Sequence, residues 1–70
     1  MKYREIAKKL RHLGYEEIKR RRSGSHRIWE HPQTKLSASI PDWGSRDLKI
    51  GTLRSILKQL EIDYQTFLDS

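Results

Sequence analysis

His26 follows Gly24 and Ser25 and precedes Arg27, and Lys19, Arg20, Arg21 and Arg22 stand just upstream. An imidazole among fixed cations suits phosphodiester chemistry. Histidine is the side chain suited to taking and returning protons near neutral pH, and a positioned acid or base gives about 10² to 10⁴ in rate. Lys19, Arg20, Arg21, Arg22 and Arg27, with Ser25, would hold the phosphate and oppose the charge that grows on it. RNA fits such a site because its own 2′-OH is the nucleophile, so one His need only deprotonate that hydroxyl or protonate the leaving oxygen. The bland alternative is a hydrogen-bonded surface His next to a charge run that solvates a strand edge and blunts aggregation.

Other chemistries find less support. The chain has no Cys, which excludes disulfide staples, thiolate metal sites and a Cys nucleophile. His26 and His31 lie five apart in an extended stretch, on opposite faces and about 16 Å from each other, so they cannot share an ion. The nine acidic residues are dispersed, without the tight pair that two-metal nucleases use. No metal and no cofactor are expected. His12 reads as a solvated side chain. Trp29 beside Ile28 reads as a core residue, whereas Trp43, in the loop after Pro41, either packs that loop or meets a partner. The helix opening at Gly51, Thr52 and Leu53 offers free N–H groups to a phosphate, but capping by Thr52 is the plainer reading.

These residues must be positioned by a small scaffold. Seventy residues allow one domain, here the whole of 1–70, with no space for an elaborate enclosed site. The net charge of +6 is unevenly placed: residues 1–35 carry +7 and residues 36–70 carry −1. The basic half should face a polyanion. No apolar run approaches the roughly 18 residues of a membrane span, and Lys2, Arg4, Lys8 and Lys9 interrupt any signal-peptide core. A cytoplasmic chain without a membrane partner is expected.

Tyr3, Ile6, Ala7, Leu10 and Leu13 follow the helical period and Gly14 stops it, so the first helix runs to Leu13 or Gly14. Tyr15 to Arg21 reads as a first strand, with a turn over Arg22 to Ser25. His26 to His31 forms a second strand, ended by Pro32. Leu36, Ala38 and Ile40 alternate with Ser37 and Ser39 in a half-buried third strand that Pro41 stops. Leu53, Ile56, Leu57 and Leu60 place a second helix from about Gly51 to Leu60, and Asp63 caps a short last one carrying Tyr64, Phe67 and Leu68. The order is α-β-β-β-α plus a terminal turn: an α+β fold with a three-stranded antiparallel sheet and both main helices on one face.

Three segments together resemble the HicA family of toxins: Leu13-Gly14-Tyr15, then Gly24-Ser25-His26-Arg27-Ile28-Trp29 with His31-Pro32, and Leu48-Lys49-Ile50-Gly51-Thr52-Leu53-Arg54-Ser55-Ile56-Leu57-Lys58. The resemblance covers nearly the whole chain. It implies a double-stranded-RNA-binding-domain-like α-β-β-β-α fold and metal-independent cleavage of single-stranded mRNA. It also implies neutralisation by a HicB-type antitoxin whose partial RNase H-like domain covers the active site. The family's catalytic His, in its Gly-Ser-His motif, falls on His26. No DNA binding by this chain alone is implied. Trp29 stands where the family more often has Phe or Tyr, and the Lys19 to Arg22 run is more basic than usual. A non-catalytic RNA-binding module of the same fold, and a pure protein-interaction unit, are the competing readings.

Overall fold

The computed structural model describes residues 1–21 and 24–70. Its elements run α1 (Tyr3–His12), β1 (Glu16–Glu17), a 3-10 turn (Lys19–Arg21), β2 (His26–Glu30), β3 (Ser37–Pro41), α2 (Ile50–Gln59) and α3 (Tyr64–Leu68). The strands pair antiparallel in the order β1-β2-β3, with Trp29 opposite Ala38 and Arg27 opposite Ile40. Since side chains alternate across a strand, Trp29, Ala38 and Ile40 share one face. All three are buried there with Ile6 and Leu10 of α1 and Leu53, Ile56 and Leu57 of α2. Ser37 and Ser39 occupy the other face and are exposed. The expected α+β architecture is the observed one, with a single apolar layer between sheet and helices.

Trp29 is wholly buried, and its indole N–H donates to the Tyr3 hydroxyl at 3.0 Å. The Arg11 guanidinium lies 5.1 Å from the centroid of the indole ring. One aromatic therefore ties the middle of β2 to two turns of α1 through packing, a hydrogen bond and a cation–π contact. Burial pushes the Tyr3 phenol above the usual tyrosine range, with the Trp29 hydrogen bond acting in the opposite direction.

Both long helices end in the same way. The Gly14 N–H donates to the Arg11 carbonyl and the Tyr15 N–H to the Leu10 carbonyl, the paired bonds of a Schellman motif. At the end of α2 the Glu61 N–H reaches the Lys58 carbonyl and the Ile62 N–H the Leu57 carbonyl. The residue that must turn left-handed is Gly14 (φ 91°) in the first and Glu61 (φ 56°) in the second. Glycine adopts that conformation freely and glutamate does not. A Cβ at position 14 would also stand 3.3 Å from Nε2 of His31.

The chain's two distant helices are fastened to each other. Asp63 caps α3 by accepting from the Thr66 N–H at 3.1 Å, as its sequence position indicates. The Lys9 ammonium donates to the Leu68 carbonyl at 2.8 Å and to the Ser70 carbonyl at 3.0 Å, a cation on the negative end of a helix. Phe67, fully buried, joins the core between them.

Two expectations are corrected. The strand read over Tyr15 to Arg21 pairs only at Glu16 and Glu17, and the chain then turns, the Arg21 N–H donating to the Ile18 carbonyl at 3.0 Å. An extended continuation would set Lys19 and Arg21 on the same face as Glu17 and its partner Trp29, driving two cations toward the apolar layer. Thr52 does not cap α2: the helix starts at Ile50 behind Lys49, with no side-chain cap bond, which leaves Thr52 inside the first turn.

Gly14→Ala should therefore destabilise the fold by about 1–2 kcal/mol, whereas Glu61→Gly, which relieves the same strain, should stabilise it by roughly 0.5–1 kcal/mol. Thermal unfolding checks both, at about 4–8 °C per kcal/mol for a domain of this size. Equal midpoints for the two variants would contradict the assignment.

Candidate nucleic-acid interface

His26 is the first residue of β2, paired across the sheet with Pro41, and it is exposed. Because Trp29 points into the core, the odd positions of β2 point inward, so His26 stands on the open face. Ser25 precedes it on an exposed turn whose Gly24 has φ 56°. The Ser25 carbonyl accepts from the Asp42 N–H at 2.7 Å, which extends the β2–β3 pairing by one bond and holds the end of that turn against the loop following β3.

Lys19, Arg20 and Arg21 form the exposed 3-10 turn, which lies beside β2. The Ile18 N–H donates to the Ile28 carbonyl at 2.7 Å, so the turn is anchored two residues from His26. Arg22, the fourth cation of the run, falls outside the described residues.

Arg27 belongs with these groups in sequence and is separated from them in space. It shares the inward face with Trp29, and its guanidinium meets the Asp42 carboxylate at 3.3 Å, both side chains about a quarter exposed. The expectation that it holds phosphate alongside His26 meets a geometry that sends the two side chains to opposite faces. The pairing of Arg27 with Asp42 secures the loop after β3. The other oxygen of Asp42 accepts from the Gly44 N–H at 3.0 Å, an Asx turn, and the Arg46 N–H reaches the Trp43 carbonyl at 3.2 Å. The sequence signal for this clasp was the Asp42-Trp43-Gly44 string after Pro41, since Asp two residues before Gly is a turn with a mechanism.

Behind the clasp lies an open cleft of about 520 Å³, lined by Lys2 and Arg4 at the start of α1, by Arg11 in its last turn and by Asp42, Gly44 and Ser45 from the loop. Here three cations face one carboxylate already paired to Arg27. Helical spacing marks these α1 cations only as a polar face, so their convergence on the loop is a property of the fold. Cationic groups thus gather in two places, in the 3-10 turn beside β2 and along α1 facing the loop after β3.

His31 serves the structure. Its Nδ1 accepts from the Gln33 N–H at 3.2 Å, and its ring meets Tyr15 edge-on at 4.9 Å. The Tyr15 hydroxyl in turn donates to the Leu60 carbonyl at 2.8 Å. His12 is exposed at the end of α1. Among the described residues no three His, Asp or Glu side chains come together as metal ligands would.

Removing the Asp42 carboxylate leaves the Arg27 guanidinium and the Gly44 N–H without their partner, so Asp42→Ala should cost about 1 kcal/mol. Arg27→Ala should cost a similar amount, and the double variant less than the two together. Urea unfolding of the four proteins checks this; strictly additive losses would mean that the pair does not act as one.

Comparison with known proteins gives one finding. A family model described as the HicA toxin of bacterial toxin-antitoxin systems matches residues 3–62, from the start of α1 to just before the cap of α3. No curated protein and no solved structure matches the chain.

Proposed function

Since the chain belongs to the HicA toxin family, the toxins of bacterial toxin-antitoxin systems, we propose that it acts as an endoribonuclease on single-stranded mRNA, with His26 as its acid/base. The observation that carries the reading is the exposed His26 on the first residue of a rigid strand, beside an exposed turn of three cations. A long polymer can reach this imidazole without entering a pocket. In the proposed reaction the His26 imidazole takes the proton of a 2′-OH, and the 2′-oxygen attacks the adjoining phosphorus. The bond to the 5′-oxygen breaks, that oxygen takes a proton from solvent water as it leaves, and the His26 imidazolium returns its proton to solvent. The products are a 2′,3′-cyclic phosphate and a 5′-hydroxyl end. Lys19, Arg20, Arg21 and Ser25, with Arg22, hold the phosphates and oppose the negative charge that builds on the non-bridging oxygens. The attacking oxygen comes from the substrate and not from a metal-bound water.

His26→Ala should abolish cleavage of a defined mRNA in the presence of EDTA, a loss of at least about 10²-fold. Because the side chain is exposed, the unfolding midpoint should stay within the small range of surface substitutions. RNA affinity should fall with salt at a slope of roughly −0.7 per phosphate contacted, and each of Lys19→Ala, Arg20→Ala and Arg21→Ala should flatten that slope by about one such unit. Cleavage that requires Mg²⁺ and leaves 5′-phosphate ends would overturn the mechanism. RNA bound equally by both proteins and cut by neither would make the chain a binding module.

The toxin's partner in the reading is a HicB-type antitoxin that covers His26. A cationic face calls for Asp and Glu on the partner, which would make association fast and salt-sensitive. Charge reversal at Arg20 and Arg21 should slow association with the antitoxin by an order of magnitude or more at low salt in stopped-flow mixing. An unchanged rate would refute the electrostatic steering.

A further inference from the structure

Trp43 lies outside the buried core and takes no part in the proposed reaction. Its side chain is 39% exposed, although Trp29, the other indole, is completely buried. An aromatic of this size left in water on a mobile loop would be unremarkable, but this loop is held. Asp42 is bonded to Ser25, Arg27 and Gly44, and the Arg46 N–H closes the turn on the Trp43 carbonyl. The guanidinium of Arg46 stands 5.5 Å from the centroid of the indole ring. The loop therefore presents a fixed flat ring with a cation on it.

Its location matters. Pro41 pairs with His26, their Cα atoms about 5 Å apart, and two residues of chain reach at most about 7 Å further. We propose that Trp43 is a stacking platform for a base of the RNA next to the phosphate that His26 addresses, with Arg46 on the adjoining phosphate. This rests on the RNA-cleaving reading of the same site. Every base has a π face, so an indole binds bases without demanding a sequence, and an arginine beside it adds a charge contact. The Arg46 cation on the ring and the three cations of the exposed 3-10 turn beside β2 favour a polyanion over an apolar protein surface. The neighbours of Trp43 in the loop are Asp42, Gly44, Ser45 and Arg46, all polar or small.

The two tryptophans make the test direct, because only Trp43 is open to a quencher. A short single-stranded oligoribonucleotide carrying 2′-O-methyl groups, which block attack by the 2′-oxygen, is titrated against the whole chain while its fluorescence is followed. Saturable quenching is expected, and it should vanish in Trp43→Phe while affinity by anisotropy stays within about threefold. Trp43→Ala should bind about tenfold more weakly and cleave with KM raised about tenfold and kcat within twofold. Normal cleavage without quenching, or Trp43→Ala binding like the parent, would overturn the platform and leave the nuclease reading standing. Quenching by an RNA that the chain never cuts would support the platform and sink the nuclease. Loss of antitoxin binding in Trp43→Ala with RNA binding intact would overturn the proposal and reassign the ring to a protein interface.

Discussion

The burial of Trp29 sets the rest of the structure. Its indole fills the layer between sheet and helices and gives its one N–H to Tyr3, so β2 cannot rotate or slip by a residue without exposing that ring. Strand alternation then leaves no freedom at the neighbouring positions. Arg27 must turn inward, where it finds Asp42, and His26 must turn outward, where it finds solvent. A core residue thus decides which of two adjacent polar side chains can meet an external molecule.

Charge is distributed by the same constraint. Four consecutive cations cannot lie along a strand that has one apolar face, so the chain leaves the sheet at Ile18 and coils Lys19 to Arg21 into a turn in water. The first strand is short because of it, and the cations gather beside β2 instead of alternating around an edge. The scaffold is too small to enclose a substrate. A chemistry in which the substrate brings its own nucleophile suits such a surface, because the protein then needs to supply only a proton acceptor and positive charge.

Much of the fold was legible in the sequence where one local preference acted alone. The stripe of α1, the left-handed Gly14, the alternation through Leu36, Ala38 and Ile40 and the Asp63 cap each appear where periodicity and turn chemistry place them. The misread elements were those set by distant partners. Tyr15 to Arg21 has β-compatible residues, yet the apolar layer opposite decides how far it can pair. The pairing of Arg27 with Asp42, fifteen positions away, likewise has no local signal. Glu61 in a left-handed cap has no sequence signal, because the helix end dictates the backbone and the side chain tolerates it. Of the candidate site, His26, the cation run and Trp43 were all marked in the sequence, whereas the way the loop after β3 is tied to the Ser25 turn, and the α1 cations that line the cleft behind it, depend on the fold.

The last helix closes the core through Phe67 and is held by the Lys9 ammonium on its terminal carbonyls. The two ends of the chain therefore complete one layer, and His26 stands on a strand whose inner face that layer supports. A ribosome making this protein exposes Leu10 and Trp29 well before Phe67 emerges. A chain stopped short of Phe67 carries His26 and the cations around it but leaves that apolar layer open on one side.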